Sequence, residues 1–184
     1  MNILSGCGKA GLTSTPKYYW DACIWIDLIT QSDPKRYDRC LYVTEEAEAG
    51  RVEIWTSAFT LAEVYKKKCS GEADGIPAAK DKDFENYIEQ EFVTKVQVDV
   101  DVGLLARRLL RQFPTIKKPQ DAVHIATCLL NNLDELHTFD GSDLLALDGK
   151  IPRHDQHYLR ICLPSERPED PQANLFKKDG DGDA

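Results

Sequence analysis

No apolar run in this sequence approaches the roughly 18–20 residues that a membrane span needs. A membrane-spanning helix is therefore not expected, and neither is a membrane partner. The N-terminal MNILSGCGKAGL is unlike a secretory signal, because its apolar part is too short. CxxC pairs are missing as well: Cys7, Cys23, Cys40, Cys69, Cys128 and Cys162 are scattered along the chain. An even count allows disulfides, but this spacing in 184 residues fits buried free thiols in a reducing cytosol better. The expected location is accordingly cytoplasmic. Positive charge is in deficit, with a formal net charge of -8. That argues against sequence-independent wrapping of nucleic acid, although a local basic patch can still hold a phosphate chain. No internal repeat is visible. What remains is a length that buries a real core, read as one domain with tails.

The most informative stretch is KPQDAVHIATCLLNNLDELHTFDGSDL, residues 118–144. Pro119 opens a helix, since its missing N–H costs nothing in the first turn. Asp121 falls in that turn, where the positive end of the helix dipole favours a carboxylate. Ala122, Ile125, Ala126 and Leu129 recur at i, i+3, i+4 and i+7 and lay one stripe on a core. Asn131-Asn132 breaks the helix, Glu135–Phe139 has strand character, and Asp140-Gly-Ser-Asp143 reads as a loop. A helix-opening Asp121 and a strand-ending Asp140 are thus set up to meet.

Before that stretch, residues 1–17 read as a flexible leader. Tyr18-Tyr-Trp20 runs into Asp21 and then into an apolar run, a buried strand passing into a buried helix. A charge there is costly unless it caps the helix, is paired or binds a metal. Asp33-Pro34 starts a helix ended by Gly50, and Val52–Thr56 is a strand. Ser57 is placed to cap a helix over Ala58–Lys68, with Leu61, Ala62 and Tyr65 facing the core and Glu63 at its edge. Residues 70–79 read as a loop, Lys80–Phe92 as a charged helix and Val93–Val98 as an alternating strand. Asp99 or Asp101 caps a helix through Phe113, with Leu104, Leu105, Leu109 and Leu110 inward. Tyr158–Leu163 is a last strand, and 164–184 has the composition of a disordered acidic tail.

Strands alternating with helices indicate βαβ units and an α/β fold with a mainly parallel sheet covered on both faces. The functional crevice of such a sheet lies beyond the carboxyl ends of its strands, where strand order reverses. Asp21 and Asp140 stand at such ends, and Asp121 and Glu63 lie in helices that can flank the same edge. Carboxylates about 4 Å apart repel by roughly 4 kcal/mol per pair at an effective dielectric near 20. A cluster is tolerated with protonation or bound divalent cations, and all-oxygen ligands favour Mg²⁺ or Mn²⁺ over Zn²⁺. Arg107, Arg108, Lys117 and Lys118 are the candidate basic track. His124 reads as a structural histidine, and His154 and His157 have no partner motif for a zinc site.

Tyr19-Trp-Asp21-Ala-Cys-Ile, Thr56-Ser-Ala-Phe-Thr-Leu-Ala-Glu63-Val, Asp121-Ala-Val-His-Ile-Ala and Thr138-Phe-Asp140-Gly-Ser-Asp143-Leu-Leu occur in that order. Together they resemble the PIN domain family over residues 18–163, with the closest likeness to its VapC-like toxin ribonucleases. The resemblance implies a three-layer α/β/α fold with a central, mainly parallel sheet of four to five strands. It implies Asp21, Glu63, Asp121 and Asp140 as catalytic residues, with Mg²⁺ or Mn²⁺ held by Asp21, Asp121, Asp140 and Asp143. Ser57 and Thr138 support the carboxylates, and Arg107, Arg108, Lys117 and Lys118 hold RNA. The implied activity is metal-dependent hydrolysis of RNA phosphodiester bonds by an endoribonuclease, the toxin of a toxin–antitoxin pair. The implied partners are RNA, an antitoxin protein and a second copy of the chain. The alternatives are a non-catalytic scaffold that binds RNA or protein, or a metal-dependent nuclease acting on DNA.

Overall fold

The computed structural model describes residues 14–65 and 75–169. Five strands, β1 (Lys17–Trp20), β2 (Glu53–Ser57), β3 (Val93–Val96), β4 (Glu135–His137) and β5 (Arg160–Cys162), form one sheet. Its order is β3-β2-β1-β4-β5 and every pair is parallel. The chain enters at the centre, builds outwards through β2 and β3, then returns to build the other side from β4. The order therefore reverses between β1 and β4, which places a crevice beyond Trp20 and His137.

Helices α1 (Ala22–Thr30), α2 (Pro34–Glu48), α3 (Ala58–Glu63) and α4 (Ala78–Ile88) follow the first strands, and α5 (Val100–Gln112) and α6 (Pro119–Leu130) precede β4. Two apolar cores result. Trp20, Ile24, Trp25, Leu28 and Ile54 fill one face of the sheet with α1, α2 and α4. Tyr19, Leu136 and Ile161 fill the other with α5 and α6, through Ala106, Leu109, Ile125 and Leu129. Tyr19 and Trp20 go to opposite cores because successive strand side chains alternate. Helix α1 is buried along nearly its whole length, which explains its lack of a polar face. Its one charge, Asp27, is met by Arg36 at 3.3 Å.

Local chemistry fixes the element ends. Asp33 caps α2 by accepting from the Lys35 and Arg36 amides, and Gly50 takes the left-handed φ of 71° just beyond it. Asp99, not Asp101, caps α5 through the Val102 amide at 3.0 Å. That phase turns Val102, Ala106 and Leu109 inward and leaves Leu104 half exposed, against the expectation for Leu104. In α3 the buried residue is Thr60, followed by Val64, while Ala62 and Tyr65 are exposed and Leu61 is half-buried. The cause is Ser57, whose hydroxyl caps the Thr60 amide and thereby turns Thr60 into the sheet.

Other boundaries also move. The strand starts at Lys17, inside the expected leader; α4 spans Ala78–Ile88, and β3 pairs only through Val96. Residues 164–169 lie along α2: the Pro164 carbonyl accepts from Arg39, Glu166 pairs with Arg39, and Arg167 pairs with Glu45 and Asp38. The helix read over Ala58–Lys68 ends at Glu63, where Val64 caps it; the expected leader over residues 1–13, residues 66–68 and tail residues 170–184 lie outside the described residues. Cys23, Cys40, Cys128 and Cys162 are free thiols. No helix among the described residues is long and apolar enough to cross a membrane.

Candidate functional site: a carboxylate cavity at the sheet switch point

Asp21 sits where β1 becomes α1 and is 3% exposed. Its Oδ1 accepts from the Cys23 amide at 2.9 Å, the Ile24 amide at 3.3 Å and the Cys23 thiol at 2.7 Å. Oδ2 accepts from the Thr138 hydroxyl at 2.6 Å. Capping and site placement are therefore not alternatives, because one carboxylate closes the helix and ties β1 to the end of β4. Thr138 Oγ1 also accepts the Asp140 amide at 3.0 Å, and the Cys23 sulfur accepts the Phe139 amide at 3.0 Å. Burial and the neighbouring Asp21 push the Cys23 thiol well up, so it stays protonated and donates to Asp21.

Asp140 folds its own loop. Its Oδ1 accepts from the Ser142 amide and hydroxyl and from the Asp143 amide, while Oδ2 lies 3.7 Å from Lys118 Nζ. Asp121, in the first turn of α6, is 6% exposed, and its Oδ2 makes no hydrogen bond. Burial raises its pKa, the Lys118 charge pulls it back, and Asp140 raises it further. Glu63 ends α3, with Oε2 buried and 3.0 Å from His124 Nε2. That contact lies off the N–H axis, so no hydrogen bond forms and Glu63 Oε2 stays unbonded. Asp21, Glu63, Asp121, Asp140, Lys118 and His124 line one cavity of about 470 Å³, together with Phe59, Tyr65 and Leu144.

Asp143 is arranged differently. Its Oδ1 faces Lys117 Nζ at 3.1 Å and its Oδ2 faces Lys118 Nζ at 2.5 Å. Hydrogen bonds from these two ammonium groups hold its pKa below the ordinary range, Lys118 contributing most. Both oxygens are thus turned to lysines, outside the cavity lining. Lys117 and Lys118 are therefore brought to the acidic site. Arg107 and Arg108 are not: they are exposed on α5 beside Leu104 and Arg111, along a separate shallow cleft. Of the two expected supports, Thr138 bonds Asp21. Ser57 bonds the Tyr19 hydroxyl at 2.8 Å rather than a carboxylate.

Two buried carboxylate oxygens without partners, in a cavity lined by four acids, form a donor set suited to a hard divalent cation. Among the described residues the four acids do not bring three ligand oxygens within 4.8 Å of one another. A cation would thus be held through water or would draw the side chains together.

Glu135, His137 and Cys162 do gather within 4.8 Å, on β4 and β5. A metal does not suit them. The Trp20 indole, which can only donate, points at His137 Nδ1 at 3.2 Å, so the ring proton sits on Nε2. That N–H faces Glu135 Oε2 at 2.9 Å, and Arg160 pairs with the other oxygen. The trio is a satisfied hydrogen-bond network.

Sequence reasoning missed Tyr19 and Cys23 and set His124 aside. A signal existed for Tyr19 and His124: one is two residues from Asp21 on a strand, the other three from Asp121 on a helix, spacings that share a face.

A family model for the PIN domain matches residues 18–149. The fold is similar to that of VapC20 of Mycobacterium tuberculosis, a toxin that cleaves the sarcin–ricin loop. Identity is 16%, coverage is 70% of this chain and 94% of that one, and the TM-score is 0.52. VapBC2 of Rickettsia felis, bound to a DNA fragment from its promoter, matches at 15% identity, with coverage of 79% and 98% and a TM-score of 0.53. A toxin–antitoxin complex of Klebsiella pneumoniae matches at 19% identity, with coverage of 82% and 99% and a TM-score of 0.52. No curated protein matches the chain in sequence at a significant level.

Proposed function

Because the chain belongs to the PIN domain family, we propose that it is a Mg²⁺- or Mn²⁺-dependent endoribonuclease, acting as the toxin of a toxin–antitoxin pair. The observation that carries this reading is the switch-point cavity, where Asp121 Oδ2 and Glu63 Oε2 lie buried without hydrogen bonds beside Asp21 and Asp140. Asp21, Asp121 and Asp140 would hold the cation, which when bound supplies Lewis-acid polarisation of the phosphoryl group and activation of water. Thr138 and Cys23 keep Asp21 oriented for that task, and the Asp140 loop bonds do the same at the facing side. Glu63, at the cavity wall, would take the proton from the attacking water. Lys118, anchored on Asp143, puts an ammonium at the cavity wall where a phosphate oxygen would sit.

Water oxygen attacks phosphorus as its proton passes to Glu63, the bond to the 3′ oxygen breaks, and that oxygen takes a proton from solvent and leaves as a hydroxyl. The products are 5′-phosphate and 3′-hydroxyl ends, and the 2′-hydroxyl takes no part. The toxin–antitoxin complexes among the structural relatives support a protein antitoxin as partner. The test is cleavage of single-stranded RNA by the purified chain, with and without EDTA, beside Asp140→Asn. Wild type should give 5′-phosphate ends only with the metal, and the variant should bind RNA without cutting it. A cyclic 2′,3′-phosphate product, or equal cutting by both proteins in EDTA, would overturn the reading.

A further inference from the structure

The Tyr19 hydroxyl, fully buried, touches Ser57 Oγ at 2.8 Å, Thr60 Oγ1 at 2.9 Å and His124 Nδ1 at 2.9 Å. Those contacts join β1, the cap and first turn of α3, and α6, which are the elements that carry Asp21, Glu63 and Asp121. The protons in this group are constrained. Ser57 Oγ already accepts the Thr60 amide, so its own proton is free to go to Tyr19. At His124, Nε2 lies 3.0 Å from a Glu63 oxygen. A lone pair on Nε2 would repel the carboxylate, so Nε2 carries the proton and Nδ1 is bare. A bare Nδ1 needs a donor at 2.9 Å, and among the described residues the Tyr19 hydroxyl provides it. The chain of bonds then runs in one direction. Ser57 and Thr60 give to Tyr19 and Tyr19 gives to His124, whose Nε2–H then lies on the side of Glu63 without bonding it.

We propose that Tyr19 and His124 are positioning residues for the carboxylate cavity: Tyr19 fixes the His124 ring as the Nε2–H tautomer, which turns the positive N–H edge of the ring toward Glu63 Oε2 at the cavity wall without bonding it. The reading of that cavity as a divalent-cation site underlies the functional part of this inference, whereas the tautomer stands apart from it. The packing supports a fixed ring. His124 is 3% exposed and packs against the Tyr19 and Phe59 rings, each centroid 5.6 Å away. With Nδ1 bonded and two rings packed against it, the imidazole cannot turn without losing the Tyr19 bond. Glu63 itself is the last residue of a six-residue helix and is 27% exposed, so little else orients it.

The experiment has two readouts. Imidazole ¹⁵N spectra of the wild-type protein, recorded without metal, report the tautomer. A protonated Nε2 with an Nδ1 that accepts is expected for His124, and a protonated Nδ1 would overturn the proposal. Calorimetric titration with Mn²⁺ and RNA cleavage are then compared between wild type and Tyr19→Phe, which removes one oxygen at constant volume. Losing a supporting partner of this kind should weaken Mn²⁺ binding or lower kcat by about 10–100-fold, with KM for RNA little changed. His124→Leu, which removes both nitrogens and remains apolar, should show the same loss if Tyr19→Phe fails to fold. Wild-type levels of Mn²⁺ binding and kcat in a folded variant would overturn the proposal. A wild-type chain that binds no Mn²⁺ and cuts no RNA would instead overturn the ribonuclease reading, and the spectra would still decide the tautomer.

Discussion

At the scale of single residues, Asp121 shows how a functional group is kept at a cost to stability. It is buried, one oxygen has no hydrogen bond, and burial raises its pKa. Asp121→Asn should therefore abolish Mn²⁺ binding while raising the stability of the metal-free protein by about 1–2 kcal/mol. That is a gain of roughly 2–8 °C in Tm for a domain of this size. Thermal melts in EDTA and titration calorimetry check the two halves; a variant that melts lower in EDTA and still binds Mn²⁺ would refute both. His137 carries a pH dependence of definite sign. Complete burial lowers its pKa, with Glu135 only partly offsetting this. The unfolded chain thus takes up a proton near pH 6.5 that the folded chain refuses, so stability is retained above that value and lost as pH falls through it. Melts between pH 7.5 and 5.5 should show Tm falling, and His137→Phe should flatten that slope.

Between elements, the position of the basic residues matters more than their number. Lys117 and Lys118 end the connection from α5 to α6 and lean on Asp143, next to the cavity. Arg107, Arg108 and Arg111 lie on α5, whose C-terminal end leads into that same connection. If the α5 face continues the RNA track, Arg107→Ala with Arg108→Ala should weaken RNA binding at every sequence. The slope of log K against log salt should fall by about 1.4, since each single-strand phosphate contact contributes about 0.7. Binding isotherms in EDTA at several salt concentrations measure this. An unchanged slope would confine the track to the two lysines.

For the whole molecule, the sheet order makes one site from distant parts of the chain: Asp21 and Asp140 are adjacent because β1 and β4 pair, with Trp20 opposite His137. The segment after β5 contributes differently. Arg39 and Arg167 tie residues 164–169 to α2 through exposed, salt-screened ion pairs and one carbonyl, contacts that contribute little each. Deleting residues 170–184 should leave Tm and Mn²⁺ affinity unchanged, whereas deletion from residue 164 should lower Tm by about 2–4 °C per kcal/mol lost. A cooperative melt lost with the shorter deletion would show that the acidic segment belongs to the core.

Much of this was legible in the residues themselves. The parallel α/β architecture followed from strands alternating with helical patterns, and the caps at Asp33, Ser57 and Asp99 from side chains that accept backbone protons within two or three residues. The acids Asp21, Asp121 and Asp140 could be picked out because strand ends and helix starts are local features, and the sheet rule says where such ends point; Glu63, the last residue of α3, was marked by the family resemblance. Helix phase was legible only in part. Leu104 turned outward because a cap sets the rotation of a helix and side-chain type does not, and Tyr65 is exposed past the end of α3. What needed the tertiary structure was every relation between side chains far apart in the chain. Asp143 faces two lysines 25 and 26 residues away, Ser57 serves a tyrosine instead of a carboxylate, and His124 links Tyr19 to Glu63. Periodicity records which side of an element is buried, but the partner met there depends on strand order and on how α6 crosses the sheet.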